Sequence, residues 1–147
     1  MSSVLLYNKV MKSCIQCGQP ARVKFCSNAC QLEFQYETHI KRWKAGGVDG
    51  SRGIAAKNLS GHLIRYLRSK YDACVLCGWN TPHPITGKVP LEIDHIDGNS
   101  ENNTESNLRL ICPNCHSLTS NFRNLNYGNG RKWRKAKYIK VDRHMPL

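Results

Sequence analysis

Asp94 and His95 adjoin in the segment Leu91-Glu-Ile-Asp-His-Ile96, Asn107 follows a polar loop, and His116 comes directly after Cys115. Aspartate and histidine are ligand types for a divalent cation, and a neutral imidazole is a base that titrates near neutrality. Together they can hold a metal ion and take a proton from water, the equipment of metal-assisted hydrolysis. Eight cysteines offer a second chemistry. They fall as Cys14-x2-Cys17, Cys26-x3-Cys30, Cys74-x2-Cys77 and Cys112-x2-Cys115. Two zinc sites of four thiolates each compete with four disulfides of a secreted chain. Zinc is favoured, because two thiolates from one turn reach one tetrahedral ion.

The elements that must position these groups are short. Leu91–Ile96 alternates as a strand does, with Leu91, Ile93 and His95 on one side and Asp94 on the other. Asp94 can therefore act as a ligand only if the chain bends or widens at the metal. Leu108–Ile111 reads as a second strand, and Pro113 suits the first turn of a helix carrying Cys115 and His116. If Cys74, Cys77, Cys112 and Cys115 share one zinc, that ion staples the start of this module to its last helix. Four thiolates leave no open position, so such a zinc is structural.

Upstream, Cys14-Ile-Gln-Cys17-Gly18 looks like a zinc knuckle. Ser27 is a candidate N-cap for a helix from about Asn28 to Lys44, with Leu32, Tyr36, Ile40 and Trp43 spaced for one face. Cys14, Cys17, Cys26 and Cys30 would supply the other structural zinc. The expected organisation is a four-cysteine module and helix over 13–44, a glycine-rich linker over 45–57 and a basic amphipathic helix over 58–71. A metal module over 72–123 and a basic tail over 124–147 complete it. In the amphipathic helix Ser60 is the N-cap, and Leu59, Leu63, Tyr66 and Leu67 share a face.

Lys and Arg number 22 against 10 Asp and Glu, a formal charge of +12. Eight thiolates and two zinc ions bring it to +8 (12 − 8 + 4), still cationic. Residues 72–121 carry only Lys88 and Arg109 against Asp72, Glu92, Asp94, Asp97, Glu101 and Glu105. The flanks are basic. An acidic centre between basic arms suits a cation site flanked by surfaces that track a phosphate backbone. Arg65, Arg68 and Lys70 on one side, with Arg131, Lys132, Arg134 and Lys135 in the tail, are the candidate DNA contacts. Arg109 either clamps a phosphate or occupies the solvent face of its strand.

The Asp94-His95, Asn107 and His116 constellation, with its cysteine pairs, resembles the HNH nuclease motif over residues 72–121. The resemblance implies an α+β fold: a small zinc-stapled ββα-metal core with an N-terminal zinc-finger module and connecting helices. It also implies roles. His95 is the general base, Asn107 fixes the loop and so orients it, and Asp94 and His116 hold the catalytic ion. Some members place another histidine one turn after His116, where this chain has Ser120. A sparse, oxygen-rich shell of that kind fits magnesium or manganese better than zinc. The expected activity is metal-dependent DNA endonuclease, phage or mobile-element type, leaving 5′-phosphate and 3′-hydroxyl ends and nicking as a monomer. RNA as substrate stays open, and so does a dimer. The competing function is a non-catalytic, zinc-dependent nucleic-acid-binding or assembly protein. The first residues lack an apolar stretch long enough for a secretory signal, and no run approaches the ~20 residues of a membrane span. A cytoplasmic protein with reduced cysteines and no membrane partner is the expectation.

Overall fold

A computed structural model describes residues 12–53 and 58–126. The chain divides into two compact units between Lys41 and Arg42.

The first unit pairs two short antiparallel strands, β1 (Lys12–Ser13) and β2 (Pro20–Ala21), ahead of helix α1 (Asn28–Lys44). The turn between the strands is closed by Gly18 N–H on the Cys14 carbonyl (2.8 Å) and Cys14 N–H on the Gln19 carbonyl (2.8 Å). Gly18 takes φ +76°, a left-handed conformation that glycine adopts without a Cβ penalty. Ser27 Oγ accepts from Cys30 N–H at 3.3 Å and caps α1, as its position suggests. Phe34, one turn beyond Cys30, meets the Phe25 ring at 5.4 Å. Leu32 departs from the expected apolar face: it is 61% exposed. It lies two residues from Cys30, about 200° around the helix, so it points away from the side that Cys30 and Phe34 cover.

In the second unit Trp43, on the last turn of α1, is buried and meets Tyr66 edge-on at 5.6 Å. Tyr66 belongs to α2 (Gly61–Lys70), whose N-cap Ser60 accepts from Leu63 N–H at 3.3 Å. Leu63 and Leu67 face inward, four residues apart on one stripe, and α2 packs on strand β4 (Leu108–Ile111). β4 pairs antiparallel with β3 (Glu92–His95) in the register Glu92–Ile111, Ile93–Leu110, Asp94–Arg109 and His95–Leu108. Leu63, Leu67, Leu110 and Ile111 are fully buried. Each contributes about 1.5–3 kcal/mol by leaving water. Gly50 closes this core from the side. It has φ +75°, and a Cβ there would stand 2.5 Å from Leu63 Cδ2.

A second knuckle repeats the first, with Gly78 N–H on the Cys74 carbonyl (2.8 Å) and Cys74 N–H on the Trp79 carbonyl (2.9 Å). Val75 N–H then reaches the Leu110 carbonyl at 3.1 Å and stitches the knuckle to β4. Helix α3 (Pro113–Ser117) follows β4 at once, with Pro113 in its first turn and the Cys112 sulfur accepting from Cys115 N–H. It lies against β3, which completes a strand–strand–helix unit. No helix among the described residues is long and apolar enough to cross a membrane.

Candidate active site and metal centres

Strand alternation puts Glu92 and Asp94 on one face of β3, with Arg109 opposite Asp94 on β4. Asp94 is the most buried residue of its strand, at 5% exposure. A carboxylate removed from water requires a partner, and Arg109 Nε supplies it by donating to Oδ2 at 2.7 Å. Arg109 is thus neither on the open solvent face nor clear of other contacts: it is bound to Asp94. His116 lies over the same face from α3. Its Nδ1 is 2.5 Å from Glu92 Oε2, and its Nε2 is 3.8 Å from Asp94 Oδ1.

Each of the two predicted ligands is therefore held by one atom and presents another. Oδ2 of Asp94 is tied to Arg109 and Nδ1 of His116 to Glu92, leaving Oδ1 and Nε2 facing each other across 3.8 Å. Two ligands at 2.1 Å from one hard cation stand about 3.0 Å apart when cis and about 4.2 Å when trans. At 3.8 Å the pair lies between those two separations, so Asp94 and His116 could share an ion after a small side-chain shift, with water and substrate oxygens completing its shell. Glu92 was not among the predicted site residues, though its place two residues before Asp94 on a strand is the signal that puts both on one face.

His95 lies on the other side of the strand alternation. Its Nε2 is 2.9 Å from Asn103 Oδ1, and its backbone carbonyl accepts from Asn121 Nδ2 at 3.0 Å. β3 ends there, and Gly98 turns the chain with φ +71°. The loop that follows is closed by Asn107. Asn107 Oδ1 accepts from Asp97 N–H at 3.0 Å, and Nδ2 donates to Asp97 Oδ1 (2.8 Å) and to the Asn102 carbonyl (2.8 Å). Burial alone would raise the Asp97 carboxyl, but donors from Asn102, the Asn99 backbone and Asn107 outweigh it and hold the group below its ordinary value. The fold thus joins Asp94 to His116, and Asn107 to the loop leaving His95. His95 itself engages Asn103 rather than the Asp94–His116 pair.

None of the eight cysteines is in a disulfide. In each group of four, the ligand atoms lie within 4.8 Å of one another. Cys17, Cys26 and Cys30 sulfurs are 3.4–3.6 Å apart, and Cys77 and Cys112 are 3.8 Å apart. Four sulfurs at 2.3 Å around one zinc are separated by about 3.8 Å, so both groups have the right size. Burial pushes the Cys74 thiol up, yet backbone N–H groups of Cys112, Cys77 and Leu76 bring it down to about 6, while the crowding Cys77 and Cys112 thiols push Cys115 up to about 12.

Among the predicted DNA contacts, Arg65 and Arg68 are exposed on α2. Lys70 is ion-paired with Glu105 at 2.7 Å. Lys70 and the Tyr66 hydroxyl together hold the Glu105 carboxyl below its ordinary value. Arg131, Lys132, Arg134 and Lys135 lie outside the described residues.

Residues 74–122 match the family model of the HNH endonucleases. The chain is also similar to the H-N-H endonuclease F-TflIV of Escherichia phage T5, with 42% identity over 59 residues, which are 40% of this chain and 24% of that protein. The chain thus spans about a quarter of the length of the curated relative it matches. No solved structure matches.

Proposed function

Residues 74–122 are an HNH endonuclease domain, and on that premise we propose that the chain hydrolyses phosphodiester bonds in DNA with the help of a divalent cation. The observation that carries this reading is the pair of presented atoms, Asp94 Oδ1 and His116 Nε2, 3.8 Å apart within the matched domain. Asp94 and His116 hold the ion, magnesium or manganese, while Arg109 and Glu92 keep the two side chains facing each other. When bound, the cation stabilises negative charge that builds on the phosphate and the departing oxygen. His95 takes a proton from water, and the hydroxide formed attacks phosphorus in line with the 3′ oxygen that leaves. Products carry a 5′ phosphate and a 3′ hydroxyl. Asn107 keeps the loop after β3 closed and so preserves the direction of the His95 ring.

Four thiolates saturate a zinc ion, so both cysteine groups serve folding and not cleavage. With one such site per chain, a monomer nicks. Arg65 and Arg68 contact the backbone of the duplex, a sequence-independent attraction that salt weakens.

Supercoiled plasmid with magnesium or manganese tests the proposal. The wild-type chain is expected to relax it, and EDTA to stop the reaction. His95→Ala should lower turnover by about 100-fold or more, the usual worth of a general base, with DNA binding nearly unchanged. Undiminished nicking by that variant would refute the role given to His95.

A further inference from the structure

We propose that Asn103 is a positioning residue for the His95 base, and that the Trp43 indole at the end of α1 holds Asn103 in place; the proposal rests on the base role given to His95 above. His95 Nε2 and Asn103 Oδ1 are 2.9 Å apart. An amide oxygen can only accept, so Nε2 carries the proton. A neutral imidazole has one lone pair available to bases' work, and it is then on Nδ1. Asn103 thereby decides which ring nitrogen can receive a proton from water.

The Asn103 side chain can do this only if its own backbone is fixed. It is 4% exposed, and its carbonyl accepts from Trp43 Nε1 at 2.7 Å. The preceding carbonyl, that of Asn102, accepts from Asn107 Nδ2. Two successive peptide oxygens are thus pinned, one from α1 and one from the short turn just before β4. Trp43 is itself confined, with 5% exposure, the Tyr66 ring edge-on to it and Gly50 leaving room for it. Trp43 precedes the matched segment 74–122 by thirty-one residues (74 − 43). A side chain outside the family's domain therefore completes the support of the base.

Long-range proton–nitrogen correlation of the histidine rings, in the zinc-loaded full chain at a pH where His95 is neutral, reads the tautomer directly. The wild-type chain should show His95 with Nε2–H alone. Asn103→Ala should give a mixture of tautomers and lower plasmid nicking by about 10- to 100-fold, by analogy with the loss of a hydrogen-bonded partner of a metal-ligating histidine. Asn103→Asp keeps the acceptor and should keep the Nε2–H form. Trp43→Phe keeps the ring but not the donor. It should blur the tautomer and lower nicking by about fivefold, the equivalent of one hydrogen bond of about 1 kcal/mol. An Nδ1–H wild-type ring overturns the proposal, as does a sole Nε2–H tautomer in Asn103→Ala. Should Asn103→Ala fail to fold, the wild-type tautomer and Trp43→Phe decide. If the wild-type chain cleaves nothing, the nuclease reading falls, while the ring-nitrogen spectrum still decides the tautomer.

Discussion

Replacing Asn107 with alanine removes three hydrogen bonds from one nearly buried amide, which is 7% exposed. Two of them join neutral groups, worth about 0.5–1.5 kcal/mol each, and the third reaches a carboxylate, worth about 1.5–3 kcal/mol. The loop is partly wet, so water recovers some of this, and a net loss of about 3 kcal/mol is expected. The damage is local. Opening of residues 97–103 should become on the order of 100-fold more frequent, since 1.4 kcal/mol is a factor of ten. Amide hydrogen exchange reads this directly, with the Asp97 amide (the one that loses its acceptor) most affected. Nicking should fall with little change in DNA affinity, because the loop carries Asn103 and not the basic helix.

A pH series adds an independent check. The folded Asp97 carboxyl is held below its unfolded value, so it stabilises the loop above the unfolded value and loses that stabilisation as pH falls through the folded one. Asn107→Ala removes one of the donors responsible. The gap in exchange protection between the two chains should therefore be full at neutral pH and shrink in acid. Equal exchange at Asp97 in both chains at neutral pH would refute the loop-closing role.

Four further outcomes follow from the same geometry. Glu92→Gln keeps size but weakens the hold on His116 Nδ1, so manganese affinity measured by calorimetry should drop by about tenfold, the lower end for loss of a ligand's hydrogen-bonded carboxylate. Gly98→Ala would place a Cβ 2.6 Å from Asn126 Oδ1 and 2.8 Å from Asn121 Nδ2 at φ +71°; a loss of about 1–3 kcal/mol should appear in thermal melting. Cys17→Ser and Cys77→Ser should each lower bound zinc, by elemental analysis, from two ions per chain to one. Chelation should unfold the second unit, because Cys74 and Cys112 are themselves members of its small core with Ile111.

What the sequence made legible was whatever depends on local spacing. Ser27, Ser60 and Pro113 mark helix starts through their own backbone chemistry, and the three helices begin where they imply. The paired cysteines announced their turns because two thiolates on one ion need a knuckle, and Gly18 and Gly78 supply its positive φ. The HNH resemblance likewise covered a contiguous stretch, the one the family model matches. What escaped was long-range. Arg109 read equally well as a phosphate clamp or a surface residue, since nothing in Leu108–Ile111 reveals that its cross-strand neighbour is a buried carboxylate. Lys70 read as a DNA contact on charge alone, yet Glu105, thirty-five residues on, takes it. Trp43 looked like one more apolar residue of a helix face, and its indole N–H found a loop carbonyl sixty residues away. The basic character of a segment thus overstates its free charge, because part of it neutralises acids that the fold brings alongside. Arg109 and Lys70 show the rule in opposite settings. One guanidinium holds the buried Asp94 carboxylate, and one ammonium anchors the basic helix to the short turn before β4.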